Sequence, residues 1–154
     1  MKIKFIANSG QPMQIADNWL EQVDTRTIRV PLTDGTTTQI NDIKDMNTIS
    51  VPLLCDHTMS VKEQAGTITN IILDDSNIIA TAELNDTPAG QLIKKLASEG
   101  NLKNNFSITV EVNDMNDISE LNDNGIIMHN GLLTEISVVW CGADLHATLL
   151  EVEE

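Results

Sequence analysis

Strand-like runs recur along this chain, and their recurrence is the feature that most limits its fold. In residues 105–112, apolar and polar residues alternate strictly. A period of two places the apolar side chains on one face of a strand and the polar side chains, among them Ser107, on the other face. Further alternating or continuous apolar runs predict strands at 2–7, 27–32, 49–55, 66–73, 77–84, 126–128, 132–140 and 147–152.

Helical periodicity is rare by comparison. Its clearest example is the segment 85–100, where Thr87 is a plausible N-cap, Pro88 suits the first helical position and Gly100 stops the run. A short helix is also predicted at 16–23. Because strands outnumber helices, the sequence predicts a mostly β fold, a small barrel or strongly curved antiparallel sheet with one or two packed helices.

The sequence predicts the structure of two connecting segments in the second half of the chain. Turn residues at 129–131 predict that the run 126–128 pairs with the run 132–140 as a hairpin. The segment 113–124 is rich in Asp and Asn and has few apolar residues, so it is predicted to be an exposed, mobile insertion between strands.

Length and charge restrict the classes of function. At 154 residues the chain suits a single domain, 1–154, and with 3% aromatic residues its core must be built from Ile, Leu, Val and Met. The net charge of −14 argues against nucleic acid and anionic membranes as direct partners. It leaves a basic partner or a basic substrate segment open.

The sequence also predicts the compartment of the protein and the state of its cysteines. The apolar run near the N-terminus is too short for a signal peptide, and no run approaches the length that spans a bilayer. We therefore expect a cytoplasmic protein. Its two cysteines, Cys55 and Cys141, fit this compartment as reduced thiols better than as a disulfide.

Three polar residues at strand-like positions are candidates for chemistry. Ser107 lies on the polar face of a rigid strand, which suits a nucleophile if a base and an orienting group are within reach. His57 closes the run 49–57, and Glu135 lies inside the run 132–140. A carboxylate among apolar residues is costly to desolvate unless a group such as His57 pairs with it.

Simpler interpretations of the same residues stay open. Ser107 could be a strand hydroxyl without chemistry, His57 a residue at a strand boundary, and Glu135 a solvent-facing side chain on a one-sided sheet. A zinc site is a further alternative because Cys and His are zinc ligands, although the spacings match no strong zinc motif. Its ligands would be Cys55, His57, Cys141 and His146.

Five stretches of the chain together resemble one protein family. They are 52–57, reading PLLCDH, the hairpin that follows, 84–90 entering a helix, 106–108, and 133–139 leading to Ala143 and Asp144. In this order they resemble the phage prohead (capsid maturation) serine proteases, which are related in fold to the herpesvirus assemblin proteases. The resemblance implies a prohead-protease-like domain and a herpesvirus-protease-like fold.

The resemblance also implies roles for the candidate residues. Ser107 would be the nucleophile, His57 the base and Glu135 the acidic residue that orients His57. Asp56 is a second candidate for the orienting role, and it is less favoured than Glu135 because neighbours in an extended segment point to opposite faces. No cofactor and no metal would be needed. Donors to an oxyanion could be backbone N–H groups near Ser107 or the side chains of Asn104 and Asn105.

The biological setting is likewise implied by the resemblance. The substrates would be segments of the phage scaffold and major capsid proteins, cleaved in the host cytoplasm inside the assembling procapsid. The enzyme would act as a homodimer or higher homo-oligomer. Because the nucleophile is approached through Lys103, Asn104 and Asn105 rather than through small residues, a catalytically inactive protease-like scaffold or assembly protein is the alternative.

Overall fold

The computed structural model describes residues 1–122 and 124–154 of a mostly β protein with a strongly curled half-barrel sheet. This confirms the predicted fold class. Within the described residues there is one α-helix, α1, at Pro88–Ser98. The strands are β1 Lys2–Asn8, β2 Met13–Ala16, β3 Trp19–Val23, β4 Arg29–Pro31, β5 Thr37–Gln39, β6 Pro52–Cys55, β7 Gln64–Asp74, β8 Asn77–Leu84, β9 Phe106–Glu111, β10 Ile118–Asn122, β11 Gly125–Met128, β12 Leu132–Val138 and β13 Leu149–Glu153.

The strands form two sheets. The larger sheet has the order β13-β1-β8-β7-β6-β12-β4-β5, and β9 pairs with β12 beside this path. The smaller sheet has the order β10-β11-β3-β2. Most neighbouring strands are antiparallel, but β12 runs parallel to both β4 and β6, and β11 runs parallel to β3. Strand β12 therefore has neighbours that come from distant parts of the chain.

The core is built mainly from aliphatic side chains, as the low aromatic content predicts. Its two phenylalanines, Phe5 on β1 and Phe106 on β9, are fully buried and stack with ring centroids 4.1 Å apart. This stack fixes β9 against β1 across the interior of the half-barrel. The position of the residue after Phe106, Ser107, is thus tied to the most buried part of the protein.

The helix begins where the sequence predicts. The Thr87 hydroxyl accepts a hydrogen bond from the Gly90 N–H at 3.2 Å, and Pro88 occupies the first turn, where a missing N–H costs nothing. Ile93 lies on the buried face that packs against the sheet. Gly100 follows the helix with a φ of +74°, a conformation that glycine adopts without strain and that turns the chain away.

The predicted helix at 16–23 is wrong. The segment 13–23 forms a hairpin of β2 and β3, in which Ala16 pairs with Trp19. Apolar residues at 19, 20 and 23 are compatible with either a helix or a strand, so periodicity alone did not separate them. Pairing of β3 with both β2 and β11 decides the outcome, because two isolated helical turns have no comparable support.

The predictions for 113–131 also need correction. Residues 118–122, placed in an insertion by their composition, form β10 and pair with β11, while Asp123 lies outside the described residues. Strand β11 does not pair with β12 as predicted; its partners are β10 and β3. The turn residues at 129–131 connect the two sheets instead of closing a hairpin, since β11 and β12 belong to different sheets.

Over residues 1–122 and 124–154, no helix has both the length and the apolar character needed to cross a bilayer.

Candidate active site

The central strand of the site is β12, which lies between β9 and β6. In the β9 pairing, Ser137 is opposite Ser107 and Glu135 is opposite Thr109. In the parallel pairing with β6, Val138 is aligned with Cys55, two residues before His57. The alignment of these three strands brings together residues that are 50 and 78 positions apart in the chain.

His57 lies in a tight turn immediately after β6. Asp56 and His57 both have positive φ values, 55° and 56°, a left-handed conformation that is uncommon for residues other than glycine. Two hydrogen bonds hold the turn against β12: the Asp56 N–H donates to the Val138 carbonyl at 2.9 Å, and the His57 N–H donates to Ser137 Oγ at 3.0 Å. These bonds direct the imidazole toward β9.

The imidazole bridges the other two predicted site residues. His57 Nε2 lies 2.9 Å from Ser107 Oγ, and Nδ1 contacts Glu135 Oε1. When Nδ1 carries the proton and donates it to Glu135, Nε2 is left as an acceptor facing the Ser107 hydroxyl. This is the hydrogen-bond order of a nucleophile, a base and a group that orients the base.

Two hydroxyls that sequence reasoning did not assign to the site complete the environment of Glu135. The carboxylate is 1% exposed and accepts hydrogen bonds from the Thr109 hydroxyl and, at 2.6 Å, from Ser137 Oγ. Together with the contact to His57, these bonds offset the cost of burying a charge. The signal was available, because Thr109 and Ser137 each lie two residues from a predicted site residue and so share its strand face.

Asp56, the second candidate for orienting the base, does not take that position. Its side chain is exposed, and within residues 1–122 and 124–154 it makes no hydrogen bond to the His57 ring. The predicted extended conformation of residues 56 and 57 is wrong, because the two residues form a turn. Glu135 reaches the ring from the neighbouring strand instead.

The two asparagines proposed as oxyanion donors are engaged elsewhere. Asn105 Nδ2 donates to the carbonyls of Val139 and Trp140, and Asn104 Nδ2 donates to the Gly142 carbonyl at 3.3 Å. Both amides therefore tie the start of β9 to the loop after β12. Backbone N–H groups are the better source of donors, since β9 pairs with β12 alone among the strands of the described chain and its other edge is unpaired.

Strand β9 borders a cavity of about 290 Å³. Five consecutive residues of β9, 106–110, line this cavity, so Ser107 lies at its wall. The opposite wall comes from the smaller sheet and from the end of β1. A concave, largely apolar space beside a serine–histidine pair is the usual setting of a substrate-binding site.

A second serine–histidine–carboxylate arrangement lies on the smaller sheet. His129 Nε2 is 2.9 Å from Ser119 Oγ, and His129 Nδ1 is 2.9 Å from Asp24 Oδ2. Here the carboxylate is more accessible, with 29% of the Asp24 side chain exposed, and Ser119 itself is exposed. A neighbouring cavity is lined by Asp24 and His129, but Ser119 is not among its lining residues in the described chain.

The residues of the alternative zinc site do not cluster. Over the described ranges, no three His, Cys, Asp or Glu side chains are close enough together to hold a metal ion. Cys55 is buried, and burial, followed by the nearby charges of Glu63 and Asp56, raises the pKa of its thiol. Cys141 is exposed. Both cysteines are unpaired thiols in the structure, as predicted.

These environments predict two different thiol reactivities. Because the thiolate is the reactive form, we expect an alkylating reagent at neutral pH to modify Cys141 quickly and Cys55 slowly in the folded protein. Mass spectrometry of timed samples measures both rates, and in denaturant the two should become similar. Rapid modification of Cys55 in the native protein would contradict the raised pKa and the burial of its thiol.

No protein-family model, curated protein or solved structure that was compared matches this chain. The catalytic roles of Ser107, His57 and Glu135 therefore stay predictions, and the likeness to prohead proteases stays a resemblance in the five stretches described above.

Proposed function

We propose that this protein is a serine endopeptidase in which Ser107 is the nucleophile, His57 the general base and Glu135 the group that orients His57. The observation that carries the proposal is the continuous contact Ser107–His57–Glu135 across three neighbouring strands, with the carboxylate buried at its inner end. The cavity beside Ser107 supports it, because a substrate needs space next to the nucleophile.

The proposed reaction proceeds in two acyl transfers. Ser107 Oγ attacks the peptide carbonyl carbon while its proton passes to His57 Nε2, and the buried Glu135 stabilises the imidazolium. The C–N bond then breaks as Nε2 returns the proton to the leaving amine, which leaves an acyl ester on Ser107. His57 Nε2 then takes a proton from a water molecule while the water oxygen attacks the ester carbon. The C–Oγ bond breaks, Nε2 returns the proton to Ser107 Oγ, and the carboxylic acid is released.

A peptide substrate is favoured by the backbone as well as by the side chains. Strand β9 has one edge without a strand partner in the described chain, its residues 106–110 line the cavity, and an extended peptide can hydrogen-bond to such an edge as an added strand. Bound in this way, a peptide would lie alongside Ser107. The main chain would supply affinity, and side-chain pockets would supply specificity.

Ser107 is a better nucleophile candidate than Ser119 for two structural reasons. Ser107 lines the cavity, and its histidine is oriented by a carboxylate that is almost completely buried and receives two further hydroxyl hydrogen bonds. Ser119 is exposed, and its histidine contacts a carboxylate in partial contact with solvent, where electrostatic stabilisation of an imidazolium is weaker. The second arrangement therefore provides an internal control.

The resemblance extends the proposal to a biological setting. We propose that the natural substrates are segments of phage scaffold and major capsid proteins, processed during prohead maturation inside the assembling procapsid, and that the active form is a homodimer or higher homo-oligomer. The mechanism derived above uses only side chains of this chain, so the proposal includes neither a metal nor a cofactor.

Covalent labelling tests the proposed nucleophile directly. A fluorophosphonate reacts with an activated serine through attack of Oγ on phosphorus and loss of fluoride, so we expect one adduct per chain, mapped to Ser107 by peptide mass spectrometry. Ser107→Ala should abolish the adduct, and Ser119→Ala should leave it unchanged. The alternative function, an inactive scaffold or assembly protein, predicts no adduct on Ser107 in the folded wild-type protein, and that result would reject the peptidase.

A further inference from the structure

The cavity beside Ser107 has walls that differ in chemistry. Most of its surface is aliphatic, contributed by both sheets. Two carboxylates interrupt this surface, Glu21 on β3 and Asp144 in the loop after β12. In the described part of the chain, no Lys, Arg or His lines the cavity. Its aliphatic residues include Ile15, Val23 and Met128 on the smaller sheet and Ile108 and Val110 on β9.

The two carboxylates have different surroundings. Asp144 is 4% exposed, and its oxygens accept hydrogen bonds from the Ser9 N–H at 2.5 Å, from Ser9 Oγ at 2.9 Å and from the His146 N–H at 3.0 Å. These bonds hold it in place, so its role is structural, although its negative charge stays beside the cavity. They also tie the end of β1 to the loop that carries Asp144.

Glu21 is the carboxylate that is available to a ligand. Glu21 is half-buried on β3 and lines the cavity, and its side chain forms no hydrogen bond and no ion pair with any residue in the ranges 1–122 and 124–154. A partly desolvated carboxylate without a partner is unfavourable, and a cation from a ligand would relieve that cost. Asp144, with its charge on the same cavity, adds to the attraction.

From this arrangement we infer that the cavity binds the side chain of the substrate residue that precedes the scissile bond. The side chain that it selects has a long aliphatic stem and a terminal cation, as lysine and arginine have. The stem would lie along the aliphatic wall and the cation would reach Glu21. An acidic side chain is excluded by repulsion from both carboxylates. The inference rests on the proposed function and names the substrate class of the same site.

The net negative charge of the whole protein also favours basic substrates. With 9 Lys and Arg against 23 Asp and Glu, the chain attracts basic segments and repels acidic ones before any contact forms. This long-range effect does not identify a pocket, but it predicts that added salt slows the reaction with basic substrates more than with neutral ones.

Three peptidyl aryl phosphonates that differ in one side chain test the inference. The side chain on the carbon next to phosphorus resembles lysine in the first probe, norleucine in the second and glutamate in the third. The norleucine-like side chain keeps the aliphatic stem of lysine but lacks the cation. We expect the lysine-like probe to label Ser107 about tenfold faster than the norleucine-like probe, a ratio typical of one charged hydrogen bond. The glutamate-like probe should be the slowest.

Two variants locate the selectivity. Glu21→Gln should remove most of the preference for the lysine-like probe, and its circular dichroism spectrum and thermal unfolding should match those of the wild-type protein, which shows that the variant is folded. Glu120→Gln, an exposed position on β10 outside the lining of the cavity, should leave all rates unchanged.

The outcomes separate this inference from the proposed function. Labelling of Ser107 at equal rates by the lysine-like and norleucine-like probes, or a preference that survives Glu21→Gln, overturns the specificity and leaves the peptidase intact. Failure of every probe, and of the fluorophosphonate, to label Ser107 in the folded protein overturns the proposed function and this inference with it.

Discussion

Replacement of Ser107 with alanine is expected to lower the rate of peptide hydrolysis by a factor of about 10⁴ to 10⁶, the range found when a serine nucleophile is removed from a triad. The physical reason is that no other hydroxyl lies 2.9 Å from His57 Nε2 at the cavity wall in the described structure. The measurement is kcat/KM on a peptide with a lysine in the residue before the scissile bond.

The matched control for this variant is Ser119→Ala. Ser119 contacts His129 Nε2 at the same distance of 2.9 Å, so both substitutions remove a hydroxyl from a serine–histidine–carboxylate arrangement. Only the Ser107 variant should lose activity, and it should keep its fold, because Ser107 Oγ contributes one hydrogen bond to an exposed histidine. Hydrolysis that persists in Ser107→Ala, or that disappears in Ser119→Ala, would show that the nucleophile has been placed wrongly.

Replacement of Glu135 with glutamine is expected to lower kcat by about 10⁴, as loss of the orienting carboxylate does in a triad of this kind. The carboxylate accepts from His57 Nδ1, Thr109 and Ser137. A glutamine has one oxygen for these donors and adds an NH₂ group. Where that group faces Nδ1, the ring must carry its proton on Nε2, and Nε2 then cannot accept the proton of Ser107.

The effect should appear in kcat more than in KM, since Glu135 lies behind the histidine and is not among the residues that line the cavity. Asp24→Asn is the control, because it makes the equivalent change next to His129. We expect it to leave hydrolysis unchanged. Should Glu135→Gln retain more than about a tenth of the wild-type kcat, the proposed role of the carboxylate in orienting His57 is wrong.

Local sequence patterns predicted the elements of the larger sheet better than those of the smaller one. Helix α1 was found from its N-cap Thr87 and from Pro88, since capping preferences depend on a few neighbouring residues. The hairpin of β7 and β8 was found from alternation and turn residues. The hairpin of β2 and β3 was missed, because its apolar residues fit two periodicities and only pairing with β11 separates them.

The sequence predicted the three central residues of the candidate site but not the residues around them. A carboxylate within an apolar run requires a partner, and on this ground the sequence alone indicates Glu135 as a site residue. Thr109 and Ser137 were seen only as polar positions on strand faces, since their importance depends on which residues lie opposite them on neighbouring strands. Glu21 was placed in the predicted helix that proved wrong, so its position in the cavity could not be anticipated.

The sequence by itself determined the mostly β architecture, the helix at Pro88–Ser98 and the presence of a serine, a histidine and a carboxylate at strand-like positions, because these depend on periodicity and on residue chemistry. The tertiary structure alone decided that the three meet. Their meeting requires β12 to lie between β9 and β6 in one particular register, and a shift of one residue would turn Glu135 to the opposite face. Pairing between strands so far apart in the chain follows from the burial of the whole core, which no local pattern encodes.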